Sequence, residues 1–309
     1  MNKQKIIKLL RKPSIVLLKL DHINLIKLSD KKYIELRYFS LFLKELNLDN
    51  PKSFNEKLQW LKLYDRNSEY TKMVDKYEVK KYVSNIIGEE YIIPTIGIYN
   101  SFDEIDFKKL PNKFVIKCTH DSGGLVVCKD KNKLDKNNAK KKIEKSLKTN
   151  YYYCGREWPY KNVKPRIIIE KYMCTKEQKE LIDYKFFCFN GNPKIILVCS
   201  ERFSSNNMCE TWFDDKWNFL DIIESSHRVD KTIKKPINLS KMMEFSKKLS
   251  KDIPFVRVDF YEINGKTYFG ELTFFPASGF ERFEPKEWDY KLGEMLKLPD
   301  KKISDKNEK

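Results

Sequence analysis

The chain has 309 residues, 41% hydrophobic and 14% aromatic, which is enough apolar material for two or three packed subdomains and excludes a disordered tail. Its 61 Lys and Arg against 44 Asp and Glu give a formal charge of +17, which suits nucleic acid, an anionic membrane surface or an acidic or phosphorylated substrate. The basic residues are spread along the whole chain with no RNP-like, helix-turn-helix or zinc-finger spacing, so no nucleic-acid partner is expected.

The first residues, KQKIIKLLRKPSIVLLKL, are basic and partly apolar. Pro13 and the repeated Lys make them too short and too charged to span a bilayer, and no small-residue cleavage site follows. Two expectations stand for this segment: peripheral contact with an anionic leaflet, or a helical arm packed on the body. Residues 1 to about 70 read as mostly helical, with Phe54, Leu58, Leu61 and Leu63, flanked by Trp60 and Tyr64, as a core stripe. KMVDKYEVKKYVSNIIG predicts a helix from about Thr71 to Ile87 stopped by Gly88, and YIIPTIGIYN predicts a strand. KFVIKCTHDSGGLVVCKD gives strand, small-residue loop, strand. A Lys- and Asn-rich helix over about 135–148 leads to the aromatic NYYYCGREWPYKNVKP and the strand RIIIEKYM. The strand pair DYKFFCFNG and PKIILVCSERF, a WFDDKWNF turn, a helix near 238–250 and a final hairpin complete an α+β or α/β pattern without internal repeats. Cys118, Cys128, Cys154, Cys174, Cys188, Cys199 and Cys209 are odd in number and lack a CxxC pair, so reduced thiols and a cytoplasmic location are expected.

The hairpin VRVDFYEINGKTYFGELTFFPASG carries the most chemistry. Asp259 and Glu271 stand on its two strands among apolar residues, where paired acids call for a cation, and hard oxygen ligands point to Mg²⁺ or Mn²⁺. Side chains alternate faces along a strand, so register decides whether the acids meet. A two-residue turn at Asn264-Gly265 would pair Asp259 with Gly270 and turn Glu271 away. A three-residue loop, Ile263-Asn264-Gly265, would put Arg257, Asp259 and Glu271 on one face, so the metal reading expects an odd loop. The alternative is an ordinary hairpin with solvent-facing charges. Lys117, at the end of an apolar strand before Ser122-Gly123-Gly124, suits a phosphate clamp, although Ser-Gly-Gly also reads as a plain turn. Glu170 and Lys171 end the next strand as edge charges or as a hinge at an adenine.

In order, DKY, VIKC-THDSGG, IIIEKYM, DYKFF and VRVDF-GELTFFPASG resemble the ATP-grasp superfamily over roughly residues 71–280. More narrowly, FNEKLQWLKLYDR, CTHDSGG, GREWPY and FGELTFFPASGF look like the TupA-like ATP-grasp family, linked to cell-surface polysaccharide and teichuronopeptide assembly. The resemblance implies an α+β ATP-grasp fold in which two subdomains clamp ATP. Its divisions would be a helical segment over 1–70, an α/β segment over 71–112, a small subdomain over 113–173, a large subdomain with the metal site over 174–300, and a tail over 301–309. It implies that Lys76 and Lys117 hold the ATP phosphates under the Ser122-Gly123-Gly124 loop. Lys171 and Met173 would meet the adenine, with Glu170 flanking it and Asp183 at the ribose. Asp259 and Glu271 would bind Mg²⁺ (or Mn²⁺), with Thr273 standing where the superfamily often has Asn, and Arg257, Arg202 and Lys185 would serve the transferring phosphate. Arg156, His120, Ser278 and Arg282 would lie at the substrate end.

The implied activity is ATP-dependent ligation of a carboxylate to an amine through an acylphosphate, which needs positioning and charge rather than a protein nucleophile. The carboxylate would be a uronic acid or other acidic unit of a surface or capsular polysaccharide or its precursor, and the amine an amino acid or amino alcohol. Two rival readings are a glycosyltransferase, for which Asp214-Asp215 is a poor DxD, and a noncatalytic glycan-binding protein, which would leave the paired acids and ordered lysines without a purpose.

Overall fold

The computed structural model describes residues 3–23, 25–174, 181–201, 208–224 and 228–300, with side chains from residue 12 onward. Arg202 and the tail over 301–309 lie outside them. Five helices come first: α1 (Lys3–His22), α2 (Asp30–Phe42), α3 (Phe54–Tyr64), α4 (Glu69–Val74) and α5 (Glu78–Ile87). Then follow β1 (Thr95–Tyr99), β2 (Phe114–Cys118), β3 (Leu125–Cys128), α6 (Lys136–Leu147), α7 (Tyr152–Gly155) and β4 (Ile167–Lys171). The rest is β5 (Asp183–Phe189), β6 (Asn192–Ser200), β7 (Cys209–Asp214), β8 (Phe219–Leu220), β9 (Ile223–Glu224), α8 (Leu239–Leu249), β10 (Phe255–Ile263), β11 (Lys266–Thr273), β12 (Phe283–Glu284) and α9 (Glu287–Met295).

The strands form two main antiparallel sheets, one in the order β1-β4-β2-β3 and one in the order β11-β10-β5-β6-β7-β8, so the class is α+β. β9 and β12 make a separate two-stranded ladder. The small sheet buries Phe114, Ile116, Ile167 and Ile169 against Ala139 and Ile143 of α6. The large sheet buries Phe186, Val198, Val258, Phe260 and Leu272, together with α8 and α5. Among the described residues, no helix is long and apolar enough to cross a membrane.

The core stripe expected at Phe54, Leu58 and Leu61 is helix α3: Phe54 packs on Phe187, Phe189, Phe255 and Phe283, so the stripe joins the core of the large sheet. Its start is fixed by a capping box, in which Ser53 accepts from the Glu56 N–H while Glu56 receives the Ser53 N–H. The single helix expected over 71–87 is two helices, α4 and α5, parted at Asp75-Lys76-Tyr77. Asp75 causes the break: its Oδ1 accepts from the N–H groups of Tyr77 and Glu78 at 2.8 and 3.2 Å, restarting the helix after Lys76. The Lys76 N–H, freed from the helix, donates to the Thr119 carbonyl at 3.0 Å and ties this break to the loop after β2.

Candidate active site

One face of the large sheet is charged and largely covered: strand alternation places Asp183 and Lys185 of β5, Arg257 and Asp259 of β10, and Glu271 and Thr273 of β11 on it. The hairpin reaches this arrangement by a route the sequence reading missed. Its loop has two residues, with Asn264 and Gly265 both left-handed (φ 50° and 69°) and Ile263 paired to Lys266, so the odd loop is corrected. A bulge then restores the register: Phe260 pairs with Phe269 but Asp259 pairs with Glu271, leaving Gly270 as the extra residue. The reason is apolar. Phe269 and Leu272 are both buried although three apart, which strict alternation forbids, so one residue between them must drop out of the ladder. Glycine suits that place because a Cβ there would lie 3.1 Å from the Asp259 carbonyl oxygen and 3.2 Å from the Tyr261 ring.

Arg257 sits among the acids. Its Nε and Nη2 donate to the two Asp259 oxygens, both at 2.7 Å, and Nη2 also reaches Glu271 Oε1 at 2.9 Å and Thr273 Oγ1 at 3.1 Å. Lys185 Nζ donates to Asp259 Oδ2 at 2.7 Å and lies 3.7 Å from Asp183 Oδ2. Burial alone would raise the Asp259 pKa; Arg257 and Lys185 outweigh it and hold the group at about 2. Burial opposes the Arg257 charge as well, yet Asp259 and Glu271 raise its pKa above the usual guanidinium range. Asp259 thus faces two cations, with one bond on Oδ1 and two on Oδ2, whereas the Glu271 side chain is 46% exposed and bonds through Oε1 to Arg257 and Thr273. Among the described residues no group of three or more His, Cys, Asp or Glu is placed to hold a metal ion. Two carboxylates with a hydroxyl suit Mg²⁺, which takes one or two protein carboxylates and completes its shell with phosphate and water oxygens.

The small sheet faces these groups with Lys117 and Glu170. Lys117 Nζ lies 2.7 Å from Glu170 Oε2, and Lys80 of α5 pairs with the other Glu170 oxygen. Against burial, the two lysines hold Glu170 at about 2. Burial lowers the Lys80 pKa and also that of Lys76, whose ammonium donates to the Asp121 carbonyl. An apolar cavity opens beside them, lined by Val115, Leu125, Val127, Met173, Leu181 and Tyr261, with Lys171 and Asp183 at its wall. A more polar cavity, lined by Lys76, Lys80, Lys117, Glu170 and Glu271, shares Lys117, Glu170 and Tyr261 with it. One slot for a flat apolar ring therefore adjoins one chamber for charge.

In the loop after β2 the two glycines differ. A Cβ on Gly123 would meet nothing within 4 Å, but one on Gly124 would strike Cys118 and Ser146, so Gly124 is there for packing. Ser122 is exposed beside Gly123 and hydrogen-bonded to Tyr151.

Four residues expected at the substrate end are placed elsewhere. His120 is buried, with Nε2 3.2 Å from the carbonyls of Ser146 and Thr149, because the loop turns it towards α6. Arg156 is claimed by Asp21 at 2.5 Å and stacks over Tyr33, facing α1 and α2. Arg282 donates to the Leu41 carbonyl and lines a groove with Lys44 and Tyr290. Ser278 is buried: its hydroxyl donates to Glu157, and its carbonyl accepts from Lys62 at 2.7 Å and Gln59 at 3.1 Å. Asp214 accepts from the N–H groups of Lys216 and Asn218 at 2.9 and 2.7 Å, so it caps a turn and does not serve as part of a sugar-nucleotide motif.

The sequence reading missed Lys80 and Lys62, and gave Glu157 no role beyond its place in GREWPY. Lys62 is wholly buried in α3, over the Phe280 ring, and burial lowers its pKa to about 7. Burial raises that of Glu157, against the pull of Lys62 and, more weakly, of Arg257. The available signal was Lys62 itself, a charge one helical turn beyond Leu58 on an apolar stripe.

Residues 56–297 match the family described as TupA-like ATPgrasp. Among solved structures, a D-alanine–D-alanine ligase from Bacillus anthracis complexed with ATP is 16% identical at TM-score 0.41, with 72% of this chain and 63% of that one covered. The corresponding ligase from Helicobacter pylori is 17% identical at TM-score 0.40, over 80% and 70% of the two chains. The ligase PsnB complexed with minimal precursor, Mg and ADP is 8% identical at TM-score 0.37, over 84% and 66%. The chain thus spans less than two thirds of the first of these, and no curated protein matches. With the match running from α3 to beyond α9, the chain belongs to the TupA-like ATPgrasp family.

Proposed function

We propose that the chain is an ATP-dependent ligase that joins a carboxylate to an amine through an acylphosphate. The reading is carried by the apolar slot beside Met173, which adjoins a chamber lined by Lys76, Lys117 and Glu271, the last paired across the hairpin with Asp259. The slot suits adenine and the lysines suit phosphates, with the two sheets serving as small and large subdomains. A carboxylate oxygen of the substrate attacks the γ-phosphorus, the bond to the β-bridging oxygen breaks, and ADP leaves with the electron pair. The amine then adds to the acyl carbon and loses a proton as phosphate departs. Asp259, Glu271 and Thr273 would hold Mg²⁺, which neutralises charge on the phosphates. Lys185 and Arg257 supply fixed positive charge at the transferring group, and the steps require no protein nucleophile. We infer the substrates from the resemblance of the sequence motifs alone: a carboxylate on an acidic unit of a surface polysaccharide or its precursor, and an amino acid or amino alcohol as the amine.

Thermal unfolding with ATP–Mg²⁺ and with UDP-sugars tests the nucleotide. Stabilisation by ATP and not by UDP-sugars is expected, and the reverse would overturn the reading. ADP release that depends on both an acidic glycan fraction and an amine pool tests the reaction, and Glu271→Gln is expected to abolish it in a folded protein.

A further inference from the structure

The stretch from Lys12 to Lys27 leaves large apolar side chains in water. Ile15, Val16 and Leu17 are 39, 45 and 37% exposed, and Ile23 and Leu25, just beyond α1, are 59 and 69% exposed. At helical spacing Lys12, Ile15, Val16, Lys19 and Ile23 fall on one outward stripe. The inward face is already occupied. Ser14 is buried, Leu18 packs against the cluster of Tyr33, Ile34, Tyr38 and Phe280, and Asp21 is held by Arg156 and by the Leu28 N–H at 2.8 Å. Single exposed hydrophobics need no explanation, but a contiguous row with lysines along it does. Tyr153, 55% exposed, and Lys148 stand beside Ile15 and Lys19 and widen the same surface.

We propose that this outer face of α1, with the turn that follows it, docks on an anionic lipid bilayer. The first 32 residues hold nine Lys or Arg against two Asp, so this stretch of sequence is far more basic than the chain as a whole, and Lys12 and Lys19 stand on the stripe itself. That pairing of an apolar stripe with a basic surround matches the two layers of a leaflet interface, acyl boundary and anionic headgroup. A second copy of the chain would set two basic arms against each other, and a nucleic acid would leave the apolar row unused. The inference stands independently of the ligase reading, since none of these residues lines the cavities between the sheets.

Flotation of the full-length protein with vesicles tests it. Binding to phosphatidylcholine vesicles containing phosphatidylglycerol is expected, with at least tenfold weaker binding to phosphatidylcholine alone and loss at high salt. Lys12→Glu and Lys19→Glu should each cost about fivefold or more. Ile23→Asp with Leu25→Asp should abolish binding while leaving the melting temperature and nucleotide binding unchanged. Equal binding to neutral and anionic vesicles, or binding to neither, would overturn the proposal. So would self-association, seen by light scattering, that the same substitutions remove.

Discussion

Glu170 holds two lysines on one carboxylate, and its removal separates structural from ligand effects. Glu170→Gln leaves the half-buried Lys80 and Lys117 without a counter-charge, which should cost about 2 kcal/mol in chemical denaturation. Saturating ATP should restore more stability to this variant than to the wild type, because phosphate oxygens would replace the lost carboxylate. Acid supplies a second test. Asp259 and Glu170 are both held at about 2, below their ordinary values, so the folded state binds fewer protons than the unfolded chain between roughly pH 4.5 and 2. Their stabilisation is complete above that window and lost as pH falls through it. Asp259→Asn should flatten the fall of stability between pH 5 and 2 while lowering stability at pH 7. At this scale charge set against strand pattern singled out Lys117 and Glu271, which line one cavity, and Asp259, which pairs across the hairpin with Glu271. It misled at Arg156 and His120 because a motif gives neighbours along the chain, whereas Asp21 and the Ser146 and Thr149 carbonyls, which claim those two side chains, arrive from elsewhere in the fold.

Most of the longer strands and helices were readable from periodicity, but β7 and β8 were read as a turn, β9, β12 and α9 were not read at all, and two further errors lay at single-residue interruptions. The break at Asp75 was visible as Val-Asp-Lys-Tyr inside a helical pattern, but the capping role of its carboxylate competes with helix propensity and is settled only by context. The bulge had a plain signature, Phe269 and Leu272 three apart in a strand of period two. Its recognition required knowing that both are buried. A specific expectation follows for Gly270. Its deletion would leave Asp259 opposite Glu271 in an uninterrupted ladder behind the same two-residue turn, so ATP affinity should change less than tenfold. A much larger loss by calorimetry would mean that the bulge itself shapes the site. Gly270→Ala should cost about 1 kcal/mol, since the Asp259 carbonyl and the Tyr261 ring must give way by a few tenths of an ångström.

For the molecule as a whole, α3 is the element that a division at residue 70 would misplace. It joins the core of the large sheet through Phe54, Leu58 and Leu61, and through Gln59 and Lys62 it grips the Ser278 carbonyl. Leu58→Ala should therefore destabilise the protein by about 2–5 kcal/mol in denaturant titrations. A smaller effect would mean that the helix is an accessory. Long-range packing of this kind was not legible because an apolar stripe announces burial without naming the partner. The charged groups of the large sheet have one more consequence. Along β10 Asp259 alternates with Val258 and Phe260, so the strand carries the charged groups on one face and closes the apolar core with the other. A slip of one residue would carry Asp259 into the hydrocarbon interior, and the chain would fail to fold before it became a poor enzyme. The fold thus proofreads the site: variants that disturb register should lose soluble protein, while the molecules that remain soluble keep full specific activity.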